Sequence, residues 1–66
     1  MTEEPELDAA RRTVLEAEAK VTQQYGIVEV LRRNGFVGGR ADEMLKTFRA
    51  ELDAARERLA RLLSIQ

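Results

Sequence analysis

Sixty-six residues allow one small domain, and a chain this short buries only about 60% of its unfolded surface, so its core is marginal alone. A charged fraction of 35% with a net charge of -1 describes a mixed-charge surface with no bulk attraction for nucleic acid or anionic membrane. With neither Cys nor His there is no disulfide, no thiolate or imidazole chemistry and no ordinary zinc site.

The first residues are acidic, with Glu3, Glu4, Glu6 and Asp8. Pro5 suits a first helical turn, where a missing N–H matters little. The first helix is therefore expected over about 4–34. Along it Leu7, Ala10, Val14, Ala17, Val21, Gln24, Val28 and Leu31 recur at alternating spacings of three and four. That is a heptad stripe with one polar member, Gln24.

Next comes the hinge, with its turn at about 35–40. Asn34-Gly35 fits a helix C-terminus, because Gly takes the left-handed conformation without a Cβ penalty. Phe36 and Leu31 then occupy the positions whose apolar contact accompanies a Schellman ending, and Arg32 and Arg33 face the last carbonyls. Gly38-Gly39 lets the chain reverse, and Asp42 and Glu43 place negative charge in the next first turn.

The second helix is expected over about 41–64, where Ala41, Leu45, Phe48, Leu52, Ala55, Leu59 and Leu62 repeat the stripe and Gln66 falls at its next position. Both stripes keep the 3.5-residue period of a left-handed coiled coil. The predicted fold is all-α, a two-helix antiparallel coiled-coil hairpin. Matching positions outward from the hinge pairs Leu31 with Leu45, Val28 with Phe48, Gln24 with Leu52, Val21 with Ala55, Ala17 with Leu59 and Val14 with Leu62. The same alignment sets Arg32 near Asp42, Glu18 near Arg56, Lys20 near Glu51 and Tyr25 near Arg49.

Two helices do not surround a seam residue, so self-association is expected, most simply a homodimer forming a four-helix bundle. Ile27, Val30, Val37 and Met44 form an apolar patch near the hinge, read as an interface or as an end cap; Leu15, Leu63 and Ile65 lie toward the open end. Gln24 reads as a register marker, because a polar seam residue penalises pairings that leave it without a partner. Arg32, Arg33 and Arg40 make a basic tip, although dipole compensation already accounts for two of them. Carboxylate pairs such as Asp53 and Glu57 read as a solvated face, and Gly35–Gly39 lacks the strand and lysine of a phosphate loop.

The run Val21–Leu52, with Val21, Gln24, Ile27, Val28, Leu31, Gly35, Ala41, Leu45 and Phe48, resembles a recurrent pattern in small uncharacterised proteobacterial proteins. Met44 stands where those proteins often carry Leu. The resemblance implies a bacterial helical hairpin and brings no activity with it. The expected function is a non-enzymatic protein-protein interaction module, and the absence of Cys together with the acidic first residues fits a cytoplasmic protein; no apolar run approaches a membrane span or signal-peptide core. It has no cofactor and no metal, and an unidentified protein is a possible partner. The alternative is a small nucleic-acid-associated or regulatory factor using the basic tip, against which the net charge argues.

Overall fold

The computed structural model describes residues 5–65 and contains two helices, α1 (Pro5–Arg33) and α2 (Arg40–Ser64), packed against each other as a hairpin. The expected start near Glu4, the acidic Glu3 and Glu4, and the stripe position at Gln66 lie outside the described residues. The second helix begins at Arg40, one residue before the expected boundary. Among the described residues, no helix is long and apolar enough to cross a membrane.

α1 ends in a Schellman motif. The Phe36 N–H donates to the Leu31 carbonyl at 2.9 Å and the Gly35 N–H to the Arg32 carbonyl at 3.0 Å, with Gly35 at φ 89°. Gly38 and Gly39 also hold positive φ, at 79° and 83°, and Gly39 precedes α2 without a side-chain cap. Glycine is required in all three places because left-handed φ strains any residue with a Cβ. Phe36 remains 64% exposed, so it shields Leu31 only in part.

The interior is built from the two stripes. Ala10, Ala17, Gln24 and Val28 of α1 and Leu45, Leu52 and Ala55 of α2 are buried, while Val14, Val21, Phe48, Leu59 and Leu62 are half-buried. Every buried residue belongs to a predicted stripe.

The register, however, differs from the one matched outward from the hinge. Gln24 Nε2 donates to the Ala41 carbonyl at 3.0 Å, and the Lys20 ammonium lies 5.6 Å from the centre of the Phe48 ring. Pairing Gln24 with Leu52 would put it eleven residues beyond Ala41, roughly 16 Å along the helix. Ala10 makes the same point: the expected alignment leaves it opposite Gln66 at the chain end, yet it is only 1% exposed. The contacts fit an alignment one heptad away, with Val28 level with Ala41, Gln24 with Leu45, Val21 with Phe48, Ala17 with Leu52, Val14 with Ala55, and Ala10 with Leu59.

Two physical terms favour this alignment. It sets Ala41 against Val28 and Ala55 against Val14, where the other alignment opposes Phe48 to Val28 and Leu62 to Val14, large against large. It also brings Gln24 to a backbone acceptor, so no buried side-chain polar atom among the described residues lacks a partner. In consequence α1 runs past the start of α2 by about one helical turn.

Not every flanking charge takes its expected partner. Glu18 and Arg56 do meet, at 3.3 Å, an approach within reach of long side chains in either register. Arg32 takes Glu29 of its own helix at 3.5 Å in place of Asp42, and Lys20 covers Phe48 in place of pairing with Glu51. Among the described residues no cation lies over the Tyr25 ring; Phe48 receives one. Exposed pairs of this kind contribute about 0–1 kcal/mol each, too little to hold a register against the seam.

Candidate interaction surface

Because α2 starts about a turn lower, the final turn of α1 has no helix beside it. An open apolar groove runs along α1 from Gln23 into this last turn, lined by Gln23, Gly26, Ile27, Val30 and Leu31. Gly26 forms its floor: the position is helical, and a Cβ built on it meets nothing within 4 Å. Gly in a helix interior is unfavourable by roughly 0.5–1 kcal/mol relative to Ala, so the missing side chain opens the groove at the expense of the helix.

Of the four patch residues expected near the hinge, Ile27 and Val30 line this groove. Met44 occupies the α2 heptad position that flanks Ile27, and Val37 lies in the turn. Their exposures are 45% for Ile27, 53% for Val30, 39% for Met44 and 77% for Val37, so each keeps a large part of its apolar surface in water. Gln23 and Gly26 escaped the sequence reading. The signal that would have found them is the glycine itself, standing mid-helix where no turn requires it.

Arg32, Arg33 and Arg40 are all exposed around the hinge, but Arg32 is neutralised by Glu29, leaving two positive charges outside ion pairs there. Among the described residues no group of acidic side chains is arranged to hold a metal.

Gln24 lies at the boundary between seam and hinge. It is 6% exposed, and its amide ties α1 to the first turn of α2. The Ala41 carbonyl also serves as a helical acceptor within α2, so replacing Gln24 by Leu orphans no donor and adds apolar burial. Gln24→Leu should therefore leave the melting temperature unchanged or raised, while amide NMR spectra show more than one set of resonances as other registers become populated. A lower melting temperature with one set of resonances would show that the hydrogen bond stabilises more than it specifies.

The fold and this surface define a two-helix hairpin with an uncovered apolar face. No protein-family model, no curated protein and no solved structure matches the chain.

Proposed function

We propose that the chain is a non-enzymatic, cytoplasmic interaction module, an antiparallel coiled-coil hairpin that works in self-associated form. The observation that carries this reading is excess surface. The chain exposes 5086 Å², whereas a folded monomer of its 7.5 kDa is expected to expose about 4,200 Å². The difference, about 900 Å², is close to what each partner contributes to a standard protein-protein interface. Its origin is geometric: Cα extents of 52 × 18 × 13 Å describe a rod one layer thick, in which Val14, Val21, Phe48, Leu59 and Leu62 keep one flank in water. A second hairpin laid against the rod buries part of this excess, the arrangement of a helical bundle.

The hinge-proximal patch supplies the most apolar part of that surface. Ile27→Glu combined with Val30→Glu should shift the protein toward monomer in sedimentation equilibrium while leaving it helical by circular dichroism, because unpaired charge would have to enter an apolar contact. A double variant with the wild-type mass would contradict association through this patch.

A further inference from the structure

We propose that the second copy docks along the outer stripe of α1, antiparallel to it, about a two-fold axis that passes beside Gln24 and Tyr25. This rests on the self-association reading and names the face that carries it. The stripe is Glu16, Ala19, Gln23, Gly26, Val30 and Arg33, spaced alternately by three and four residues on the side of α1 turned away from the seam. All six are exposed.

The stretch Val21–Val28 is the longest uncharged run in a chain that is 35% charged. Eight residues make more than two helical turns, so α1 is uncharged here around its whole circumference. No charge on this stretch therefore has to leave water when a second helix is laid against it. The hairpin seam covers one side, and the groove floored by Gly26 marks the uncovered side.

A second α1 fits that side because the stripe is complementary to its own reverse. In antiparallel alignment about the stated axis, Val30 of one copy meets Ala19 of the other, and Gln23 meets Gly26, so each larger side chain faces a small one. At both ends Glu16 meets Arg33. Neither takes part in any of the three ion pairs among the described residues, so both are free to pair across the interface. Sliding one heptad sets Gln23 against Arg33 in one direction and Glu16 against Gly26 in the other. Parallel alignment sets Glu16 against Glu16. Only the central antiparallel alignment satisfies size and charge together, and a face that matches itself under a two-fold axis is what an isologous dimer needs.

The test is a charge swap at the two ends. Glu16→Arg and Arg33→Glu are prepared separately, checked for helicity, and compared alone and as an equimolar mixture by sedimentation equilibrium and native mass spectrometry. Each variant alone opposes like charges twice, and its dimer should weaken on the order of tenfold or more. Mixing restores two opposite-sign contacts, so heterodimers should form in preference to either homodimer with affinity near that of the wild type. A dimeric wild type whose variants dimerise equally well, or whose mixture shows no preference for heterodimers, would overturn this face and leave self-association standing. A wild type that stays monomeric at all concentrations would overturn self-association and this proposal with it.

Discussion

Leu52→Ala is expected to unfold the hairpin at ambient temperature. Leu52 is 7% exposed at the middle of α2, level with Ala17, which has no side chain able to move into the space vacated. Removing a buried leucine costs about 2–5 kcal/mol when the surroundings do not collapse onto the gap. A two-helix domain has little more than that in reserve. Phe48→Ala should cost less than Leu52→Ala, because Phe48 is half-buried and part of its ring is covered by the Lys20 stem and ammonium, which remain solvated. Ala50→Ser, on the exposed face of α2, should change stability by less than about 0.5 kcal/mol. Urea unfolding followed by circular dichroism ranks the three, and equal effects would mean that the stripe does not form the interior.

The second large effect is expected at Gly35. Its φ of 89° and the pair of Schellman hydrogen bonds fix where α1 stops and therefore where α2 begins. Gly35→Val places a β-branched side chain in left-handed backbone and should destabilise by about 1–3 kcal/mol, through strain and not through collision, since a Cβ there meets nothing within 4 Å. Gly35→Asn should recover part of the loss, because Asn tolerates the left-handed region better than other residues with a Cβ. A melting temperature unmoved by Gly35→Val would mean that the chain reverses by another route.

These two sites also show what sequence reveals here and what it withholds. Burial follows the heptad stripes residue by residue, because apolar periodicity and the seam are the same fact seen from two sides. The Schellman ending was readable because it depends on a few neighbouring residues, Leu31, Gly35 and Phe36. Register was not, since a heptad repeat looks identical after a slide of seven residues: every stripe position still meets a stripe position. What breaks the degeneracy is non-periodic, namely the path taken by residues 34–39, the carbonyl that Gln24 reaches, and the small residues set opposite Val28 and Val14. Flanking charges do not resolve it either: Glu18 with Arg56 and Arg32 with Asp42 are offset equally in any register, yet only the first pair forms, Arg32 being held by Glu29 of its own helix. The patch at Ile27 and Val30 could be seen in the sequence as apolar surplus. Its groove could not, because it depends on how far α2 extends beside α1 and on Gly26 contributing no side chain.

Self-association is tested most directly on the wild-type chain, by following mass and melting together as concentration rises through the micromolar range. Sedimentation equilibrium should give twice the chain mass, dissociating on dilution, and the melting temperature should rise with concentration because the associated form binds the folded hairpin and not the unfolded chain. A single monomeric mass with a melting temperature independent of concentration would contradict the account.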